Sequence, residues 1–275
     1  MDLRHRLLAI AAATLTIPVL TAGTATAADQ FAAVTDGTKI VRFTSDDPNA
    51  TKAVNVRGLQ PNETLVGLDI RPANGKLVGL GSTGRIYDVS SFTGQVRPLG
   101  EPFTPTLDGE SFGFDFNPTV DRIRITSDAN QNLRLVPDTG QVAFQDGTLT
   151  YGPGDINAGR DPLIVGSAYT NPDTDPATGT ALYNLDAARD SLILQDPPNA
   201  GGLKTVGALG VNIGADAGFD IGASGVAYAA VVPRGAKGSV LYTVNLQTGA
   251  STRVKRIGPI SVGRIEALAV IGTTP

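Results

Sequence analysis

The chain has 275 residues, with 33 Gly, 18 Pro, one His, one Met, no Cys and no Trp, and a formal net charge of −4. Its only His and Met, His5 and Met1, lie in a leader-like N-terminus, so the rest of the chain contains neither imidazole nor thiol. Ser-His-Asp and Cys-His nucleophiles, thiolate or imidazole zinc sites and a His general base are thereby excluded, which leaves carboxylate, Lys, Tyr, Ser/Thr and backbone chemistry.

Arg4 and Arg6 form a positive n-region, Leu7 to Leu20 is apolar, and Ala25-Thr26-Ala27 fits a cleavage site before Ala28. The apolar stretch is short for a membrane span and carries Pro18, and no Cys follows it for lipid attachment. The expectation is a signal peptide at residues 1–27 and a secreted domain at 28–275. Its loss removes Asp2, Arg4 and Arg6, leaving 20 Lys and Arg against 25 Asp and Glu, a net charge of −5. Dispersed, mildly acidic charge argues against nucleic acid and anionic membrane surfaces as partners. No second long apolar run occurs, so no transmembrane anchor is expected, and the domain is read as a monomer. Without Cys, its stability must come from packing.

Next come internal repeats. Residues 65–100, 111–147 and 217–258 each read Gly-apolar-Asp-apolar, a loop, a short apolar strand, a turn and a hairpin, and 149–210 holds a degenerate copy. Aligned without gaps, Tyr87, Leu133, Tyr183 and Tyr242 share one position, and Val89, Leu135, Leu185 and Val244 fall two residues later, which is strand alternation. Thr93-Gly94, Thr139-Gly140 and Thr248-Gly249 supply hairpin turns, with Arg189-Asp190 in the degenerate copy.

The chain ends complete one more unit. Lys39–Phe43 and Lys52–Val56 read as a hairpin within residues 31–58, and the missing inner strand lies at 265–271, where Ala267-Leu268-Ala269 aligns with Gly67-Leu68-Asp69. A unit split between the termini closes a ring and hides sheet edges. The fold expected is all-β: a single five-bladed β-propeller of four antiparallel strands per blade, with N- and C-terminal strands sharing one blade. Two points stay open. Ile164-Val-Gly-Ser-Ala-Tyr-Thr170 fits either the inner or the second strand of its blade, and in the second case Asp155-Ile156-Asn157 forms the inner turn. An open β-sandwich pair would also use these hairpins, without explaining the split unit. No helix of consequence is expected.

The run from Gly113 to Arg124, Gly-Phe-Asp-Phe-Asn-Pro-Thr-Val-Asp-Arg-Ile-Arg, together with Gln131-Asn-Leu-Arg-Leu and Pro197-Pro-Asn-Ala-Gly, resembles a bacterial domain-of-unknown-function family, number 4394, over about residues 31–271. The resemblance implies a secreted or surface-exposed bacterial protein of propeller-like repeats. It implies no activity and supplies no catalytic residue.

Asp69, Asp115 and Asp220 share one repeat position, and Asp155 is a candidate fourth. If the strands that bear them line a channel, their oxygens converge as a site for Ca²⁺. The competing and weightier reading is that each Asp accepts hydrogen bonds from its own turn or from the next blade. The second copy crowds Asp121, Arg122, Arg124, Asp128, Asn130, Gln131, Asn132 and Arg134 into one stretch. Arg124, Asp128, Asn130, Asn132 and Arg134 are candidates for a rim site in which Arg clamps a carboxylate or sulfate; an Asp–Arg lattice joining blades is the alternative. The Tyr151–Asp161 loop carries Gly, Asp and Asn but lacks the order of an EF-hand loop.

Two function classes follow. The first is a noncatalytic binding or scaffold module, outside the cell or at its envelope, for a small-molecule, glycan or envelope partner. The second is a hydrolase or lyase driven by a carboxylate pair or by bound Ca²⁺, with Asp69, Asp115 and Asp220 as ligands or acid–base groups. Ca²⁺ is the only cofactor this chemistry suggests.

Overall fold

The computed structural model describes residues 27–274. The expected leader therefore lies, apart from Ala27, outside the described residues. Period-two alternation cut by Gly- and Asn-bearing turns organises the chain into five sheets. The first blade takes β1 (Asp29–Thr35), β2 (Lys39–Thr44) and β3 (Lys52–Asn55), and the second takes β4 (Leu65–Arg71), β5 (Lys76–Gly81), β6 (Arg85–Val89) and β7 (Val96–Pro98). The third holds β8 (Phe112–Asn117), β9 (Arg122–Ser127), β10 (Asn132–Leu135) and β11 (Val142–Gln145). The fourth holds β12 (Thr150–Tyr151), β13 (Ile164–Tyr169), β14 (Leu182–Asp186), β15 (Ser191–Gln195) and β16 (Gly202–Ala208). The fifth holds β17 (Ala217–Ile221), β18 (Ala227–Val231), β19 (Val240–Val244) and β20 (Ser251–Arg256). The last strand, β21 (Ile265–Thr273), returns to the first blade and pairs antiparallel with β1, setting Ala32 opposite Ala269 and Ala33 opposite Leu268. Five blades and closure through the termini agree with the sequence reading.

The fourth blade settles the open register and corrects one alignment. β13 is its inner strand and lies against β8 and β17. β14, which carries Tyr183 and Leu185, is thus a second strand, whereas β6, β10 and β19 are third strands. Tyr183 and Leu185 do not share the position of Tyr87 and Val89, and the Arg189-Asp190 turn joins strands two and three rather than three and four. Alternation at period two is the same on every strand of a blade, so it does not reveal this shift. The blade also gains a short fifth strand, β12, which pairs parallel with β16 at the outer edge.

The inner strands β4, β8, β13, β17 and β21 pack side by side around the axis. Their approach requires glycine: a Cβ on Gly113 would fall 2.2 Å from Ser167 Oγ, and one on Gly67 2.6 Å from Phe114 Cβ. Packing this close leaves only about 10 Å³ at the end of the axis walled by Gly67, Gly113, Ser167 and Gly218.

Blades 1 and 2, 2 and 3, 4 and 5, and 5 and 1 meet through apolar clusters. Between blades 5 and 1, for example, Phe31 stacks on Phe43 and meets Tyr228 edge-on, each at 4.9 Å between centroids. The seam between blades 3 and 4 differs, because a buried polar network crosses it. Ser167 Oγ meets Thr126 Oγ1 at 2.6 Å and donates to Asn184 Oδ1 at 2.6 Å, and Asn184 donates to Gln195 at 2.9 Å. Asn132 on β10 donates to the carbonyl of Pro198 at 3.1 Å, and Arg124 on β9 reaches Asn199 Oδ1 at 2.7 Å. Among the described residues, no helix is long and apolar enough to cross a membrane.

Candidate functional site

Each inner strand ends near the axis at the face away from the glycine-packed end. Asp69, Asp115 and Asp220 stand two residues after Gly67, Gly113 and Gly218, and Ala168 and Ala269 hold the equivalent positions on β13 and β21. The residue after each position presents a backbone N–H, and the three carboxyls receive all five. Asp69 accepts from Ile70 at 2.6 Å and from Phe116 on the next blade at 2.8 Å. Asp220 accepts from Ile221 and from Val270 on the next blade, both at 2.6 Å. Asp115 accepts from Tyr169 on the next blade at 3.1 Å. The two Ala positions thus leave no N–H of this ring unpaired, because Asp69 and Asp220 each serve their own strand as well as the next.

The carboxyls also converge: one oxygen from each of Asp69, Asp115 and Asp220 lies within 4.8 Å of the others, and all three residues are buried. Burial, reinforced by the neighbouring carboxylates, pushes Asp69 and Asp115 well above the ordinary carboxylate range. Burial pushes Asp220 up to about 6, against the pull of its two backbone N–H donors and with a further push from Asp29.

Over these carboxyls opens a cavity of about 270 Å³. Ile70, Phe116, Ile221, Val270 and Ile271 form its wall, and Pro72, Pro118 and Pro172 stand at its rim, where blades 5 and 1 present Ala223 and Gly272 instead. Tyr169 and Asp29 also line it, and among the described residues no Lys or Arg does. Asp29 Oδ2 accepts from the Tyr228 hydroxyl at 2.9 Å and the Ser224 hydroxyl at 3.0 Å.

The other sequence candidates lie elsewhere. Asp155 does not join the ring, which corrects its placement as a fourth ligand: with β13 as inner strand, the ring position of its blade falls to Ala168. Asp155 instead ties down the 152–163 loop, accepting from the Thr205 N–H at 2.6 Å, the Thr205 hydroxyl at 2.8 Å and the Asn157 N–H at 2.8 Å. Although partial burial pushes its pKa up, these donors hold it below the ordinary range. The Arg124–Arg134 group forms no open rim clamp. Arg124, 1% exposed, spends its guanidinium on Asn132 Oδ1 at 2.7 Å, Asp146 at 2.6 Å, Asn199 at 2.7 Å and the Tyr169 hydroxyl at 3.3 Å. Arg134 takes Asp146 bidentately at 2.6 and 2.8 Å. Asn132 also donates to the carbonyl of Gly147 at 2.9 Å. At the β9–β10 turn, Asp128 accepts from the Glu110 N–H at 2.9 Å and Asn130 donates to Asp161 at 2.7 Å. This is the lattice of the alternative reading, and it forms the polar seam between blades 3 and 4.

Sequence reasoning missed Asp29, Asp146 and the proline rim. Pro72 and Pro118, each three residues after a ring Asp, were a repeat signal of the rim. Asp29 is the second residue after the expected leader and lies outside every repeat, so only strand pairing brings it to the cavity.

The sequence matches a family described as a domain of unknown function, DUF4394, over residues 39–269. No curated protein matches it. A structural genomics protein of unknown function from Bacteroides thetaiotaomicron is 16% identical at a TM-score of 0.47, covering 84% of this chain and 58% of its own. The dihydro-heme d1 dehydrogenase NirN in complex with DHE is 12% identical at 0.40, with 88% and 47% covered. YCF48 bound to D1 peptide is 12% identical at 0.38, with 78% and 60% covered. The chain thus spans about half to three-fifths of the length of these structures, and similarity this distant says nothing of function.

Proposed function

The chain belongs to the DUF4394 family, and we propose that it is a noncatalytic binding module whose ligand seats in the cavity at the mouth of the propeller channel. One observation carries this reading: an apolar-walled cavity of about 270 Å³ lies over buried carboxyls whose oxygens are largely committed to backbone N–H groups. A general base or nucleophile needs a free lone pair aimed at substrate, whereas five of the six ring oxygens accept a backbone N–H, three of them from the next blade. Concave, mostly apolar pockets with a few convergent polar groups are the usual form of small-ligand sites. The leader-like residues 1–27 support export, and so action at or outside the cell envelope.

Ligand-observed NMR against a set of small amines, acids, alcohols and monosaccharides tests the reading. Binders are expected whose signal disappears in the Ala223→Trp variant, in which the new ring fills the mouth. Binders indifferent to that substitution, or none at all, would overturn it.

The approach of three carboxyl oxygens to within 4.8 Å of one another favours a second reading, a Ca²⁺-dependent hydrolase or lyase. Thermal unfolding in EDTA and then in Ca²⁺ separates the two. A ligand at 100 times its dissociation constant adds about 2.7 kcal/mol. A reversible rise in midpoint, lost in Asp115→Asn, supports the metal, and an unchanged midpoint leaves the noncatalytic module.

A further inference from the structure

We infer that the occupant of the mouth cavity is a small organic cation, with its positive charge balanced by the carboxyls that line the cavity and its apolar body against Ile70, Phe116, Ile221 and Ile271. This rests on the reading of the cavity as a ligand site and specifies the class of ligand.

Four carboxyls line the cavity and, among the described residues, no basic side chain does. Six of their eight oxygens take donors; among the described residues none reaches the second oxygen of Asp115 or of Asp29. Asp29 is independent of the three-carboxyl cluster. It lies on β1 rather than on an inner strand, is 5% exposed, and is held by Tyr228 and Ser224 through one oxygen only. A buried carboxyl is costly to ionise without a counter-charge, so it either keeps a proton or takes a cation from solution, and an ammonium supplies that charge.

An alkylammonium group brings three donors on one compact cation, and an unpaired acceptor oxygen is open to it on Asp115 among the ring carboxyls and another on Asp29 of β1. Ca²⁺ asks for about six to eight oxygens, and the rest of the wall offers mainly Ile, Val, Phe and Pro carbon. At about 270 Å³ the cavity sits just below the ~300–1,000 Å³ of pockets for drug-sized ligands, so its occupant is small.

Isothermal titration of the purified protein with phenethylamine, with 2-phenylethanol as its neutral counterpart and with CaCl₂ tests the inference at about pH 7.5, where the amine is protonated. The amine should bind at least about tenfold more tightly than the alcohol. Asp115→Asn and Asp29→Asn should each weaken amine binding by about tenfold or more, with the alcohol unaffected. Asn at 115 keeps an acceptor for the Tyr169 N–H, and circular dichroism checks that both variants fold. Equal affinity for amine and alcohol would overturn the cation while leaving the cavity as a binding site. Binding of Ca²⁺ but not of the amine would assign the carboxyls to a metal and overturn it. No binding of any of the three would overturn both the inference and the reading on which it rests.

Discussion

The carboxylate of Asp69 accepts the backbone N–H of Phe116, on the inner strand of the neighbouring blade, at 2.8 Å. Asp115 makes the same bond to Tyr169, and Asp220 to Val270. Inner strands of adjacent blades are not paired as a sheet, so these N–H groups have no ladder partner, and a side chain from the preceding blade supplies the acceptor.

Replacing Asp69 by Ala removes the acceptor of two N–H groups at once, those of Ile70 and Phe116. At about 1–3 kcal/mol for each orphaned buried group, Asp69→Ala should lower unfolding stability by about 2–6 kcal/mol. Asp115→Asn keeps its one acceptor role and removes a charge, so it should not lower stability at neutral pH. Urea unfolding of the two variants beside the parent checks the contrast, and equal losses would contradict it.

Stability should fall as pH rises from acid. Asp69, Asp115 and Asp220 all have pKa values raised by burial, so above the unfolded value of about 4 the folded state binds more protons than the unfolded one. Their contribution is fully present below that point and is lost as pH rises through the folded values, about 6 for Asp220 and beyond the ordinary carboxylate range for the other two. Urea midpoints measured in steps from mildly acid to mildly alkaline pH should decline through this window, and Asp115→Asn should flatten the decline. A midpoint that climbs steadily across it would show that the ring carboxyls ionise freely.

The seam between blades 3 and 4 should be the most sensitive to loss of a single charge. Asp146 is shared by Arg124 and Arg134, and Arg124 is 1% exposed. Asp146→Ala leaves a buried guanidinium without its anion and should cost about 3–5 kcal/mol. By contrast, Asp138, an exposed partner of Arg71, should be replaceable by Ala with little change in unfolding midpoint. The apolar pair Arg124→Met with Asp146→Leu should recover part of the loss, because the buried guanidinium at 124 is gone, while Arg134, which also loses Asp146, is 21% exposed and keeps access to water.

Much of this molecule was legible in order along the chain. Strand alternation, Thr-Gly turns and the copies at 65–100, 111–147 and 217–258 carry the blade pattern, since each blade repeats the same local physics of a half-buried strand and a tight turn. The split unit at the termini likewise disclosed ring closure, because a strand without a local partner must find one from the other end. The shared position of Asp69, Asp115 and Asp220 was visible for the same reason.

What they do there was decided only in three dimensions. Whether an Asp is a free ligand or the acceptor for a neighbouring blade depends on where the next inner strand places its N–H, and no local pattern encodes that distance. Period two hid the shift of Tyr183 and Leu185 to a second strand, and with it the removal of Asp155 from the ring. The crowding of Arg124, Asn132 and Arg134 reads alike as an open clamp or a buried seam until the fourth blade packs over it. Asp29 belongs to no repeat at all; pairing of β1 with β21 alone brings it over the same cavity as the three ring carboxyls.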